Sequence, residues 1–213
     1  MLTAPNVLSL ARIAAAPFIY ALIAWSGRYG YILAAVLFTL ASITDTLDGQ
    51  LARRRGSITP LGIYLDTTAD KILIAVLLVA LAVVHEAPGW MAAVIIAREF
   101  FVTGLRSYAA ALGVVIPAGG WGKAKTLITI VALLLVLLAG DAARGGVLSG
   151  IPWARSLLLT RLGPTTFPIW LLLLAVIWTI GSGIEYIRGA IPLLTRGSRR
   201  ISLERPVAPA EDP

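Results

Sequence analysis

The chain has 213 residues, of which 58% are hydrophobic and only 14% are charged. Soluble domains carry about 25% charged residues, so this composition excludes an ordinary soluble protein and indicates an integral membrane protein. The formal net charge is +7 and there are no cysteines. Disulfides and thiolate metal sites are therefore excluded. The basic residues lie between apolar runs and in the tail, which indicates contact with anionic lipid and not with nucleic acid.

Six apolar runs approach or exceed the roughly 20 residues that a helix needs to cross a bilayer. In chain order they cover residues 6–25, 31–54, 60–84, 89–112, 122–140 and 167–189. The runs lack the alternation of membrane strands, so helices are the expected form. We predict a single all-α membrane domain of six transmembrane helices over residues 1–195. The basic, Pro-containing remainder, residues 196–213, is expected to be a disordered cytoplasmic tail.

Lysine and arginine are unevenly divided between the two sides of this six-helix arrangement. Six spans put both termini on one side, and fourteen of the eighteen basic residues fall there. The other side holds only Arg28, Arg144, Arg155 and Arg161. The positive-inside rule then places both termini in the cytoplasm. We expect a multi-pass protein of a bacterial cytoplasmic (inner) membrane, with its active site facing the cytoplasm.

Residues 45–70 read DTLDGQLARRRGSITPLGIYLDTTAD and contain four aspartates. Asp45 and Asp48 are three residues apart near the end of the second predicted helix, so they share a face. Asp66 and Asp70 are four residues apart on the third. The connection between these helices is short, so we expect them to be antiparallel neighbours. Their carboxylates would then converge below the cytoplasmic surface, where unpaired charges are costly.

Divalent cations would resolve the repulsion among these carboxylates. Ligand sets made only of carboxylate oxygens suit Mg²⁺ or Mn²⁺ and disfavour zinc, and four aspartates could bridge two ions. Gly49 and Gly62 lack side chains, which lets a ligand or the neighbouring helix approach closely. The alternative is that the aspartates are solvated or pair with arginines at residues 53–55. That alternative accounts poorly for four aspartates at this spacing.

The same stretch fits the pattern D-x2-D-G-x2-A-R-x8-G-x3-D-x3-D at every fixed position, and it resembles the signature of the CDP-alcohol phosphotransferases. The resemblance implies that a CDP-linked alcohol, usually CDP-diacylglycerol, gives its phosphatidyl group to a second alcohol and releases CMP. It implies two divalent ions bound by these aspartates: Asp45, Asp48 and Asp66 as ligands, and Asp70 as a ligand, the catalytic base, or both. It assigns CDP-lipid contacts to Gly49, Ala52, Arg53 and Gly62. It further implies a homodimer.

Residues 97–126 contain four cations that could bind the acceptor alcohol. Arg98 and Arg106 lie roughly on one face of the fourth predicted helix, and Lys123 and Lys125 open the fifth. If these helices meet the aspartates, the cations line a cytoplasmic pocket that suits a phosphate group. The alternative for the two lysines is positive-inside anchoring.

Three polar residues have two open interpretations. Glu99 is expected either to pair with a cation other than its neighbour Arg98 or to help position the acceptor. Asn6 and Arg12 are expected either to border the nucleotide end of the site or to act as a helix start and an interfacial anchor.

Shorter segments resemble one branch of the family, the phosphatidylglycerophosphate synthases. They are PNVLSLARI at residues 5–13, REF at 98–100, GLR at 104–106 and GKAKT at 122–126. The branch implies sn-glycerol 3-phosphate as acceptor, with phosphatidylglycerophosphate and CMP as products. The expected partners are CDP-diacylglycerol, glycerol 3-phosphate and membrane lipid. A cardiolipin synthase or a phosphatidylinositol-phosphate synthase is the alternative within the family. A cation or proton transporter is the alternative from a different class, because intramembrane carboxylates also mark ion paths.

Overall fold

The structure, a computed structural model, describes the backbone of residues 4–25, 27–55, 60–113 and 120–204 and the side chains of residues 6–25, 27–44, 61–113 and 124–192. Six long helices in these ranges follow the six apolar runs, and one short helix precedes the last of them. They are α1 (Ala4–Ala24), α2 (Gly30–Arg55), α3 (Pro60–Val83), α4 (Gly89–Ala111), α5 (Gly120–Ala143), the short α6 (Pro152–Leu159) and α7 (Phe167–Glu204). The all-α prediction is confirmed.

Within the described residues, three helices are long and apolar enough to cross a membrane: Asn6–Ala24, Ala124–Ala143 and Phe167–Pro192. The apolar part of α2, Gly30–Thr44, is shorter. Charged residues interrupt the apolar runs of α3 and α4, and several of them are the residues singled out above as site candidates. The six-span arrangement and the cytoplasmic position of the termini therefore stay predictions.

The connection between α5 and α7 contains regular secondary structure. The Gly- and Pro-containing sequence of residues 141–164 does not predict it. A 3₁₀ turn at Val147–Gly150 leads into α6, which begins at Pro152, a residue whose fixed φ suits the first helical position. Strand β1 (Arg161–Leu162) then pairs antiparallel with β2 (Thr165–Thr166). Gly163 takes a φ of +72° in the turn of this hairpin.

Helix α1 is the main neighbour of both α2 and α3. Its Ala16 is fully buried, and such small residues allow close helix packing in a membrane. Among the described residues α1 packs along both α2 and α3. The side chains at the end of α2 that carries Asp45 and Asp48 lie outside the described residues, so the expectation that α2 and α3 are antiparallel neighbours there stays a prediction. Helix α5 packs on α2 and α7, and α4 packs on α3 and α7. One apolar core joins the six long helices through Ile19, Phe38, Leu77, Ile95, Leu133 and Leu172.

Helix α7 continues to Glu204, so the domain boundary predicted at residue 195 does not coincide with a helix end. The division into a membrane domain and a tail stays a prediction. Residues 205–213 of the predicted tail, and all side chains beyond residue 192, lie outside the described residues.

One polar cluster ties the helices together at the end where α3 turns into α4. Arg144, just after α5, donates from Nε to Glu86 Oε1 at 3.1 Å. Its guanidinium also lies 4.8 Å from the ring centroid of Tyr31 on α2. Asp141, near the end of α5, accepts a 2.8 Å hydrogen bond at Oδ2 from the backbone N–H of Leu148. These contacts hold the 144–151 connection against the bundle.

Candidate functional site

The two aspartates of α3 share one face of the helix, and an arginine of α1 contacts both. Arg12 Nη1 lies 3.4 Å from Asp66 Oδ1 and 3.3 Å from Asp70 Oδ1. The arginine is 3% exposed, whereas the carboxylates are 48% and 42% exposed. A buried guanidinium thus holds two carboxylates that still face outward. Arg12 does not behave as an interfacial anchor; it is part of the aspartate site.

The described half of the predicted metal site fits a hard divalent cation. Asp66 and Asp70 supply carboxylate oxygens four residues apart on one helix face, half-exposed and with Gly62 one turn earlier. Oxygen-only ligands of this kind suit Mg²⁺ or Mn²⁺. Asp45 and Asp48 belong to the backbone of α2, but their side chains lie outside the described residues. Among the side chains that are described, no group of three or more His, Cys, Asp or Glu could hold a metal.

A second polar cluster joins α4, α5 and α7. Glu99 Oε1 accepts hydrogen bonds from Lys125 Nζ and, at 3.0 Å, from Arg98 Nη1. The other end of the guanidinium, Nη2, donates to Ser182 Oγ at 3.1 Å. Glu99 therefore does pair with a second cation, Lys125, as one of the two sequence interpretations expected. Ser182 was not predicted as a site residue, and its residue type carries no signal of this contact.

Lys71 follows Asp70 on α3 and feels the charges of both clusters. Its ammonium donates to the carbonyl of Thr67 at 3.1 Å. The charges of Asp70, Glu99, Arg106 and Lys125 all act on it. From the sequence, Lys71 is predicted only as one of the basic residues on the cytoplasmic side. Its place directly after Asp70 was the signal that could have identified it.

Arg106 and Tyr186 extend the basic cluster toward the end of α4. Arg106 is exposed, and its charge acts on the hydroxyl of Tyr186 on α7, as does that of Arg98. The Tyr186 hydroxyl is shielded and has no hydrogen-bond partner among the described residues. Its ring packs with Leu105 around a small apolar contact between α4 and α7. A shielded hydroxyl beside two guanidinium groups is suited to contact an anionic ligand.

Of the residues predicted for the site, Asp66 and Asp70 meet at Arg12, and Arg98 and Lys125 meet at Glu99, while Arg106 is exposed on α4. The side chains of Asp45, Asp48, Gly49, Ala52, Arg53 and Lys123 lie outside the described residues. Two carboxylates with an adjoining set of cations can bind metal ions and phosphate groups side by side, which phosphoryl-transfer chemistry requires. The individual roles of these residues stay predictions.

The chain is similar to proteins of one enzyme family. The family model described as CDP-alcohol phosphatidyltransferase matches residues 2–181. The chain is 39% identical over 150 residues, 65% of this chain and 78% of the relative, to a protein of Bacillus subtilis named CDP-diacylglycerol--glycerol-3-phosphate 3-phosphatidyltransferase. It is 35% identical over 206 residues, 93% of this chain and 96% of the relative, to a protein of Pseudomonas fluorescens with the same name. A probable phosphatidylglycerophosphate synthase of Mycobacterium tuberculosis is 39% identical over 136 residues, 62% of this chain and 65% of the relative.

Proposed function

The chain belongs to the CDP-alcohol phosphatidyltransferase family, and we propose that it transfers the phosphatidyl group of CDP-diacylglycerol to sn-glycerol 3-phosphate, giving phosphatidylglycerophosphate and CMP. The structural observation that carries the proposal is the pair of half-exposed carboxylates, Asp66 and Asp70, that Arg12 holds on one face of α3. Lys71 follows Asp70 and also feels the charges of Glu99 and Lys125, which supports a close approach of the proposed metal ligands and the proposed phosphate-binding cations. The names of relatives that match over most of the chain support the choice of acceptor.

Asp66 and Asp70, with Asp45 and Asp48 of α2, would hold two Mg²⁺ or Mn²⁺ ions. When bound, such ions neutralise the pyrophosphate of the CDP-lipid and stabilise the charge on departing CMP. Arg12 holds one oxygen of each α3 carboxylate and so fixes the direction of the others. Gly49, Ala52, Arg53 and Gly62 are the proposed CDP-lipid contacts, by their fit to the family signature.

The transfer needs a base beside the acceptor hydroxyl. The hydroxyl oxygen of glycerol 3-phosphate attacks the phosphorus that carries diacylglycerol, and the bond from that phosphorus to the CMP oxygen breaks. CMP leaves with the electron pair. Asp70 takes the hydroxyl proton, as a carboxylate within hydrogen-bond reach can do. Asp70 suits this role because it is half-exposed and the charge of Lys125, one of the proposed acceptor cations, acts on it.

The acceptor phosphate would be bound by Arg98, Arg106, Lys123 and Lys125. Arg106 is exposed, so it is available to an incoming anion. Lys125 lies deeper and carries a charge that also acts on Asp70. An anion held between Arg106 and Lys125 would bring its attached hydroxyl toward the aspartates. Serine or free inositol as acceptor would leave these cations without a phosphate.

The chain is a helical membrane protein, and the finer arrangement is part of the proposal. It would cross a bacterial inner membrane six times, with both termini and the site on the cytoplasmic side, and act as a homodimer. The charged residues of the proposed site lie near the starts of α3 and α5, toward one end of the bundle, which supports an interfacial enzyme. A transporter would place its charges near the midplane, in broken helices or repeats.

The test is CMP release from CDP-diacylglycerol by the purified protein in detergent, with Mg²⁺ or Mn²⁺. Glycerol 3-phosphate, inositol phosphate, phosphatidylglycerol and no acceptor are offered in parallel. We expect release that requires both metal and glycerol 3-phosphate. Release with phosphatidylglycerol or inositol phosphate instead would assign the protein to the cardiolipin or inositol-phosphate branch. Folded protein that releases no CMP with any acceptor would favour the transporter alternative.

A further inference from the structure

Glu99 is a partly buried acid among the cations proposed to bind an anion. Its side chain is 19% exposed, and the two cations that it contacts, Arg98 and Lys125, are 16% and 10% exposed. These three residues, which we call the Glu99 triad, carry one negative and two positive charges. A buried ion group is stable only when each charge meets its partners in good geometry. The triad therefore restricts where the two cationic side chains can lie.

Both contacts of Glu99 are made through the same carboxylate oxygen, Oε1, although the partners belong to different helices. Lys125 is on α5, and Arg98 precedes Glu99 on α4. Packing between α4 and α5 is slight among the described residues. The carboxylate thus acts as a polar link between helices that have little apolar contact, at the depth where the acceptor site begins.

Helix α7 fixes the other end of Arg98. Ser182 Oγ accepts from Nη2 at 3.1 Å. At Gly183 the guanidinium stem lies along the helix, since a Cβ added there would be 3.4 Å from Arg98 Cγ and 3.5 Å from Nε. Arg98 is therefore held from both sides, by Glu99 on α4 and by Ser182 on α7. One remaining polar atom, Arg98 Nε, has no partner among the described residues.

Holding long cationic side chains in place lowers the cost of binding an anion. Free Lys and Arg side chains lose rotamer freedom when they fix a ligand, and a protein that has already ordered them avoids that loss. One acid shared by two cations leaves the group with a net positive charge. The acid can therefore order both cationic side chains, while the group as a whole still attracts a phosphate.

From these contacts we infer that Glu99 is a positioning residue of the acceptor site, which sets Lys125 and Arg98 in the arrangement that receives the acceptor phosphate. The inference rests on the proposed function, since it presumes a phosphorylated acceptor. It adds a role for an acid in a site otherwise defined by cations, and it extends that site to Ser182 of α7. The opposite role would be competition, with the Glu99 carboxylate occupying the place that the phosphate must take.

The two roles predict opposite effects of Glu99→Gln on acceptor affinity. Positioning predicts that the KM for glycerol 3-phosphate rises by about tenfold or more, the scale on which loss of one partner from a buried charge pair is felt. The KM for CDP-diacylglycerol should stay within twofold. Glu99→Asp keeps the charge but shortens its reach, so it should raise the acceptor KM by less. Unchanged or lower acceptor KM in Glu99→Gln would overturn the inference.

Two controls separate positioning from a general loss of structure. Glu86→Gln removes one partner of an ion pair of similar length outside the site, and it should leave both KM values unchanged. In a Lys125→Met background, Glu99→Gln should raise the acceptor KM much less than it does in the wild type, because Glu99 would already have lost one of the two cations through which it acts. Independent, multiplicative effects would overturn the inference. Wild-type protein without glycerol 3-phosphate-dependent CMP release would instead overturn the proposed function.

Discussion

Arg12 on α1 lies 3.3 Å from Asp70 on α3 and also contacts Asp66, so the first helix of the chain takes part in the aspartate site. The arginine is almost completely buried. In the proposed site it would orient the carboxylates that bind metal, as partners behind metal ligands commonly do.

Replacement of Arg12 by glutamine should lower kcat/KM for CMP release by about 10- to 100-fold, the usual cost of losing a partner behind a metal ligand. Arg12→Lys keeps the charge but cannot reach both carboxylates with one planar group, so we expect an intermediate loss. The measurement is CMP release over a series of Mg²⁺ concentrations. The control is Arg28→Gln, an exposed arginine beside Tyr29. Equal activity of the Arg12 and Arg28 variants would remove Arg12 from the site.

Asp66→Asn and Asp70→Asn should each abolish turnover while the protein still inserts and purifies normally. An amide keeps the size of the side chain but is a poor metal ligand and cannot act as a base. Both carboxylates are about half-exposed, so their loss should cost little stability. Activity and the elution profile in detergent are measured together, with Glu185→Gln on an exposed position of α7 as the control. Near-normal turnover in both aspartate variants would refute the metal-site assignment.

Arg106→Ala should raise the KM for glycerol 3-phosphate and leave the KM for CDP-diacylglycerol nearly unchanged. Arg106 is exposed, so its removal changes the charge offered to the acceptor with little effect on packing. Arg188→Ala removes an exposed arginine from α7 and serves as the charge-matched control. Steady-state kinetics, with each substrate varied in turn, gives the two KM values. An unchanged acceptor KM would return Arg106 to the role of a membrane anchor.

Gly183→Ala and Gly183→Leu should differ in their effect on the acceptor KM. A Cβ at this position would lie 3.4 Å from Arg98 Cγ, an ordinary contact distance, so alanine should be tolerated. Leucine would extend into the stem of Arg98 and displace the guanidinium from Ser182. We expect a raised acceptor KM for leucine alone. If both variants match the wild type, the position of Arg98 along α7 does not matter for the acceptor.

Gly140→Ala should destabilise the protein without changing either KM. A Cβ on Gly140 would lie 2.5 Å from Cε1 of Tyr31, whose ring is buried against α5 with 2% of its surface exposed. Such overpacking costs about 1–3 kcal/mol. Thermal unfolding in detergent is the measurement. Gly89→Ala, at the exposed start of α4 with no neighbouring atom within 4 Å, should leave the midpoint unchanged. Equal midpoints for the two variants would contradict the close contact at Tyr31.

The positions of the six long helices could be predicted because each is a long apolar run bounded by Gly or Pro. The observed ends lie within three residues of the predicted ones, apart from the end of α7. The extension of α7 could not be predicted, since the basic composition after residue 195 fits an exposed helix as well as a disordered tail. Helix α6 is only eight residues long, too short for its apolar pattern to stand out from a Gly- and Pro-containing loop.

The residue types of the site were more predictable than their contacts. The four-residue spacing of Asp66 and Asp70 predicts that both lie on one face of a helix. Their contact with Arg12 depends on α1 packing along α3, which no local pattern specifies. Ser182 was missed for the same reason, because a serine in a long apolar helix does not indicate which neighbouring helix its hydroxyl will meet.

The identity of the lipid product tests the proposed function most directly. Purified protein is incubated with CDP-diacylglycerol, Mg²⁺ and isotope-labelled glycerol 3-phosphate, and the extracted lipid is examined by mass spectrometry, with a metal chelator in a parallel sample. We predict labelled phosphatidylglycerophosphate in an amount equal to the CMP released, and none with the chelator. Folded protein that forms no labelled lipid, or that forms it equally well in the chelator, would contradict the account.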